Sequence, residues 1–183
     1  MYSKDKLIIN ITLSGMFIAI GIVLPFLTGQ IPEIGSMLCP MHIPVMICGF
    51  MCGWKYGLIV GFTTPLLRTS IFSMPVLYPY SISMAFELAT YGLLCGLIFD
   101  KLLKIIKRDY IAIIITLLFS MISGRIIWGI VRYSLSLMDG SNIFNIKVFV
   151  TGAFITAWPG ILIQIILIPT LIITLMKLSI IKK

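Results

Sequence analysis

The amino-acid sequence predicts an all-α integral membrane protein: a compact bundle of six transmembrane helices with both termini in the cytoplasm. Three observations carry this reading. The chain is 60% apolar and 11% charged, with a mean hydropathy of +1.13, a composition suited to lipid rather than water. Its apolar stretches have about the 20-residue length that a bilayer demands, and short segments rich in Pro, Gly and charge separate them. Its lysines gather at one set of helix ends. A chain of 183 residues holds about six such helices with short loops. Residues 1–183 therefore read as one membrane domain, with no room for a soluble catalytic or nucleotide-binding unit.

The first span is expected from Leu7 to Leu27. The uncharged run between Lys6 and Glu33 is too long for the core of a cleavable signal, and no small-x-small cleavage site is evident. A bent, polar stretch follows from Thr28 to Pro40, marked by Gly29, Pro32, Glu33, Gly35 and Pro40. The second span runs from Met41 to Gly53, and Trp54-Lys55-Tyr56 turns the chain at the interface. The third covers Gly57 to Phe72 and stops before Met74-Pro75-Val76-Leu77-Tyr78-Pro79, where proline ends helices. The fourth goes from Tyr80 to Phe99, and a polar connector spans Asp100 to Asp109. The fifth runs from Tyr110 to Leu137 and ends at Asp139-Gly140-Ser141-Asn142. The sixth runs from Lys147 to Met176. Pro25, Pro44, Pro65, Pro159 and Pro169 fall in or beside these spans, where freed backbone groups must find partners in the protein or in a cavity. At Pro159, between Trp158 and Gly160, a locally opened helix beside a pocket is one of two readings; a packing kink is the other.

Orientation follows from charge. With the N-terminus inside, the cytoplasmic side holds Lys4, Lys6, Lys55, Lys101, Lys104, Lys107, Arg108, Lys177, Lys182 and Lys183; the other side holds Lys147, Arg68 and Arg132. Ten against three satisfies the positive-inside rule. The formal net charge of +8 is then the signature of helix ends meeting anionic headgroups, so no nucleic-acid partner is expected.

Four cysteines, Cys39, Cys48, Cys52 and Cys95, lie in or beside apolar stretches and do not make a disulfide framework. With His42 the pair Cys48 and Cys52 matches no common zinc spacing, so no metal is expected. Intramembrane proteolysis would need a serine with a histidine base on a facing helix or His-Glu-x-x-His. The chain has a single histidine, His42, at a helix start, so no enzymatic activity is expected.

Ionisable residues inside a bilayer are expensive and mark functional sites by default. Here they are Arg68, Glu87, Arg125 and Arg132. At about 1.5 Å per residue, Glu87 lies roughly 10 Å from the outer end of its span, and Arg125 some 22 Å from the inner end of its own. These are similar depths in a core about 30 Å thick. Arg132 is two turns further out on the same face. Arg68 and Trp158 lie at a comparable level, so several helices bring polar groups to one layer in the outer half of the bundle. Tyr91 suits a pocket wall or an interface, and His42, in the first turn of the second span, is a loop-packing or interfacial histidine or else a ligand. Two readings stay open: a structural Glu87–Arg125 pair, or a site in which surplus positive charge receives a small anion, since guanidinium forks match carboxylates and phosphates. On the first span, Ser14, Gly15 and Ala19 form a small-residue patch of the kind that lets helices approach closely.

Several segments resemble a known family across essentially the whole chain. They are Pro40-Met41-His42-Ile43-Pro44-Val45; Gly49, Gly53, Gly57 and Gly61-Phe62-Thr63-Thr64-Pro65; Met84-Ala85-Phe86-Glu87-Leu88-Ala89-Thr90-Tyr91-Gly92; and Gly124-Arg125. Together with size and span number, these are similar to the S components of energy-coupling factor (ECF) vitamin transporters. The resemblance implies a subunit that binds a micronutrient at the outer face, beneath the first, third and fifth loops. It implies docking on a separate transmembrane coupling subunit driven by two ATPases, and toppling in the membrane to release cargo inside. It also implies an Ala-x-x-x-Ala docking face on the first helix, matched here by Gly15 to Ala19, with glycine in place of the first alanine. The chain has no Walker motif, in keeping with ATP being used by partner subunits and no cofactor being held here. The Met-His-Ile-Pro and Glu-Leu-Ala-Thr-Tyr-Gly stretches are similar to members assigned to pantothenate-like cargo; pyridoxine, a thiamine precursor and a queuosine precursor stay open. A stand-alone secondary transporter or channel is the alternative, and it has only Glu87 to offer for ion coupling.

Overall fold

The structure, a computed structural model, describes residues 2–28, 31–106, 108–140 and 145–177. Gly29, Lys107, Ser141, Asn142, Lys182 and Lys183 of the sequence reading lie outside the described residues. Their regular structure is all helical, with no strand among the described residues.

Helix α1 (Tyr2–Val23) tightens at Leu24–Thr28 into a narrower turn containing Pro25, which has no N–H to continue the ladder. α2 (Pro32–Leu38) begins on proline, whose missing donor is harmless at a helix start. It ends at Cys39 in the left-handed region (φ 47°), with the Cys39 N–H donating to the Gly35 carbonyl at 2.9 Å. α3 (His42–Cys52) and α4 (Trp54–Phe72) are joined by Gly53 alone. Its φ of 89° is open to glycine without strain, and this allows a reversal in one residue. After α4, a connector and a wide turn at Leu77–Ser81, closed by Ser81 N–H to the Val76 carbonyl at 3.0 Å, lead into α5 (Ile82–Ile105). α6 spans Asp109–Met138. The expected polar connector from Asp100 is thus mostly helix, and α5 continues through Lys101 and Lys104.

The sixth expected span is broken. Asn145 caps α7 (Ile146–Val150), its Oδ1 accepting from the N–H groups of Lys147 and Val148 at 3.0 and 3.1 Å. A wide turn at Thr151–Ile155 follows, and only then α8 (Trp158–Lys177). Gly152 and Pro159 flank the break, and Pro159 sits in the first turn of α8, where it is tolerated. The widened backbone lies at Thr151–Ile155, ahead of Pro159 rather than at it.

Among the described residues, five helical stretches are long and apolar enough to cross a membrane: Lys4–Leu27, Glu33–Cys52, Leu77–Ile105, Asp109–Met138 and Trp158–Lys177. Six were expected, and the difference is α4. Its second half carries Thr63, Thr64, Pro65, Arg68, Thr69 and Ser70, which dilute its apolar character. Those groups are satisfied within the protein. Thr64 bonds the Val60 carbonyl, Thr69 the Pro75 carbonyl and Ser81 Oγ, and Ser81 Oγ the Pro65 carbonyl.

α3 is the centre of the bundle, buried from Pro44 to Phe50 and packed against α1, α4, α5 and α8. In lipid, helices associate through close packing of small residues rather than hydrophobic exclusion, and here a glycine seam supplies it. A Cβ on Gly57 would collide with the Gly92 carbonyl, one on Gly92 with Gly57, one on Gly61 with Leu88, and one on Gly96 with Trp54, all backbone. A Cβ on Gly49 would also meet Gly92. α1 stands at the edge, anchored by buried Phe17 and by Gly21, which packs against Thr64 and Pro44. Gly92→Leu should therefore abolish monodisperse elution from size exclusion in detergent, since overpacking costs about 1–3 kcal/mol even where neighbours can adjust and the neighbour here is backbone. Gly15→Leu, with open space around its Cβ position, should elute as the parent does.

Candidate functional site

Three helices and a connector deliver polar groups to one buried point. α5 contributes Glu87 and, one turn on, Tyr91; α6 contributes Arg125; α3 contributes His42 from its first turn; the α2–α3 connector contributes Cys39. The carboxylate is the hub. Glu87 Oε1 accepts from Arg125 Nη1 at 2.9 Å and from the Tyr91 hydroxyl at 2.7 Å, and His42 Nε2 lies 3.5 Å away. Glu87 and Tyr91 are each 1% exposed, His42 2% and Arg125 8%. Burial of this depth makes each charge dependent on its partners.

Local sequence explains the fit. Gly124, beside Arg125, has no side chain because the Tyr91 ring occupies that space, which lets the ring lie against α6 with its hydroxyl on Glu87. Cys39 turns the chain in a left-handed conformation and places its sulfur 3.5 Å from Arg125 Nη2. α8 holds that connector in place: Gln164 Nε2 donates to the Cys39 carbonyl at 3.4 Å, and glycine at 160 makes room for the Met37 and Leu38 carbonyls.

Arg125, Glu87, Tyr91 and His42, all expected from the sequence, are brought together. The other three are not part of this cluster. Arg68 Nη1 donates to the Ile22 carbonyl at 2.8 Å, and its guanidinium lies 5.4 and 5.9 Å from the Phe26 and Phe72 ring centres. It clamps α4 to the end of α1. Arg132 lies 4.0 Å over the Tyr80 ring, with its Nη1 buried and unpartnered. The Tyr78 hydroxyl bonds the Leu135 carbonyl at 2.8 Å, so the segment between α4 and α5 straps onto the same stretch of α6. Trp158 is 58% exposed, whereas depth along a continuous span had placed it inside. An apolar groove of about 420 Å³ between α6 and α7, lined by Ile126, Ile130, Tyr133, Ile146 and Phe149, includes none of the cluster.

Two members were missed by sequence reasoning. Gln164 is a lone amide in the apolar run Ile161-Leu162-Ile163-Gln164-Ile165-Ile166, a legible signal, since such residues bond across helices. Cys39 reads in the sequence only as one of four cysteines outside any disulfide framework, and nothing in its neighbourhood marks it as facing an arginine.

The architecture and this buried ionic cluster define a multi-pass membrane protein with a charged interior site, a combination used to recognise polar solutes. The family model for the substrate-specific component of ECF transporters matches residues 10–180, and the chain belongs to that family. It is a substrate-binding membrane subunit of an importer that works with ECF coupling and ATPase subunits on a small-molecule substrate. No curated protein and no solved structure matches the chain.

Removing the Glu87 carboxylate strands the Arg125 guanidinium, so Glu87→Ala should lower stability by about 3–5 kcal/mol. Trp158→Ala should change it by about 0.5 kcal/mol or less, as expected for an outward side chain. Thermal unfolding in detergent measures both, and similar shifts for the two would contradict the arrangement.

Proposed function

We propose that this subunit captures a small anionic vitamin or precursor, of pantothenate type, at its outer face, with Arg125 as the principal anchor. The observation that supports this is the unequal use of the guanidinium. Nη1 meets a carboxylate at 2.9 Å, whereas Nη2 has a thiol at 3.5 Å, and sulfur is a weak acceptor. A cargo carboxylate offers Nη2 a strong one. Tyr91 and His42 flank that position. Arg132, two turns further along α6 with a free Nη1, serves as a second anchor once Tyr80 withdraws. Arg68 and Trp158 act around the site: the first fixes α1 against α4, the second lies at the helix break beside it.

In this reading α4 is the sixth span, both termini are cytoplasmic and the protein resides in the cell membrane. The subunit itself carries out no catalytic step and holds no cofactor. The coupling subunit docks on α1 at Gly15 and Ala19. Both are exposed on the least buried span, and no atom lies within 4 Å of a Cβ placed on Gly15. Ser14, half-buried with its hydroxyl on the Asn10 carbonyl and 3.9 Å from Cys48 Sγ, borders that face and seats α1 on α3.

Arg125→Ala should weaken binding of the carboxylate vitamin by roughly 10- to 1000-fold, since losing one buried charged partner costs about 2–5 kcal/mol. Equilibrium binding to purified, folded variants checks this, and unchanged affinity rejects the anchor. Gly15→Leu and Ala19→Leu should leave binding intact and stop uptake in cells that carry the coupling and ATPase subunits. Normal uptake by either variant removes the docking assignment.

A further inference from the structure

His42 is 2% exposed, and its Nδ1 is buried with no hydrogen-bond partner. Its other nitrogen, Nε2, faces Glu87 Oε1 at 3.5 Å. These two facts assign the proton. An unprotonated Nε2 would set a lone pair against a carboxylate oxygen, so Nε2 carries the hydrogen. A second hydrogen on Nδ1 would be a buried donor with nothing to receive it, which is disfavoured. His42 is therefore neutral in this arrangement. Arg125 and Glu87 cancel, and the cluster as a whole has no net charge.

A carboxylate placed on Arg125 upsets that balance, because two carboxylates would then share one guanidinium away from water. The groups facing His42 leave few remedies. Tyr91 on α5 and Cys39 in the connector become only more negative when they titrate. Gln164 on α8 does not titrate, and Arg68 on α4 is engaged with the Ile22 carbonyl. The charged residues of α1, Lys4, Asp5 and Lys6, precede Gly21, which packs beside Pro44 of α3, by 15 residues or more, or roughly 22 Å along the helix. Glu87 and His42 remain. An imidazole holds a proton more tightly than a carboxylate by about two pH units in water. Glu87 Oε1 already receives hydrogens from Tyr91 and Arg125, whereas Nδ1 of His42 is empty.

We infer that capture of a carboxylate at Arg125 is accompanied by uptake of one proton from solvent onto Nδ1 of His42, so that a proton is a second ligand of the binding step. The imidazolium then takes over as counter-ion to Glu87 while Arg125 turns to the cargo, and the cluster returns to zero charge. The cargo carboxylate supplies the acceptor that an Nδ1 hydrogen lacks. This inference rests on the anionic-cargo reading above. Its sign is fixed by linkage: binding that takes up a proton tightens as pH falls. Kd should therefore rise with pH, by up to about tenfold per pH unit.

The test is isothermal titration calorimetry of the purified subunit with pantothenate, biotin and nicotinate. The tightest binder is then titrated at one pH in phosphate and in Tris, whose ionisation heats differ, to give the protons taken up per ligand. About one proton is expected for the parent, about none for His42→Gln, and about none for the uncharged alcohol panthenol should it bind. Because His42 is the chain's single histidine, selective ¹⁵N-histidine labelling reads the same event in the unmodified protein, as both ring nitrogens move to the imidazolium position on binding. A carboxylate that binds without proton uptake, or with an unchanged histidine signal, overturns the inference and leaves the anionic-cargo reading standing. Uptake retained in His42→Gln overturns the assignment to His42. Absence of binding by all three carboxylates removes the anionic-cargo reading and this inference with it.

Discussion

A single carboxylate oxygen, Glu87 Oε1, gathers a guanidinium, a phenol and an imidazole from three helices inside a protein that is otherwise apolar. Such a group in lipid or in a dry core is tolerated only while all its partners are in place, so the positions of α3, α5 and α6 are mutually dependent. The connector joins this set through Cys39 on Arg125, and α8 joins through Gln164 on Cys39. The site is thus assembled from elements distant in sequence. Its polarity constrains the bundle as much as the bundle positions it.

That geometry requires a rigid support, and the glycine seam supplies one. Gly49, Gly57, Gly61, Gly92 and Gly96 bring three helix backbones together where any side chain would intervene. α5 therefore has little freedom to rotate or slide, and Glu87 and Tyr91 inherit its register. Gly124 extends the same device to α6 by yielding its side-chain space to the Tyr91 ring. α1 is built differently. It is held by Phe17, by Gly21 against Thr64, and by Arg68 on the Ile22 carbonyl, while Gly15 and Ala19 are left bare. The glycine-packed core is rigid, and the outer helix beside it is more lightly attached.

The three intramembrane arginines show how one residue type serves three ends. Arg125 neutralises a buried acid. Arg68 satisfies a backbone carbonyl where α1 narrows and lies against two aromatic rings. Arg132 lies over Tyr80, at the stretch of α6 to which the Tyr78 strap attaches. Counting charges gave three cations for one anion, and the surplus read as an anion site. The structure places two of the three on neutral partners, and only Arg125 meets a carboxylate.

By itself the sequence determined the helical membrane class, the interior location of Glu87 and Arg125 at matching depth, and the small-residue character of α1. Each depends on length, hydropathy or rise per residue, which are properties of a single axis. Tertiary structure alone decided which way each residue points around that axis. It turned Arg68 to Ile22 and Arg132 to Tyr80, interrupted the last span, left Trp158 exposed, and brought Cys39 and Gln164 to the cluster. Azimuth and helix breaks follow from glycine contacts, proline positions and the demand that every buried polar group find a partner, and those conditions are met only between helices.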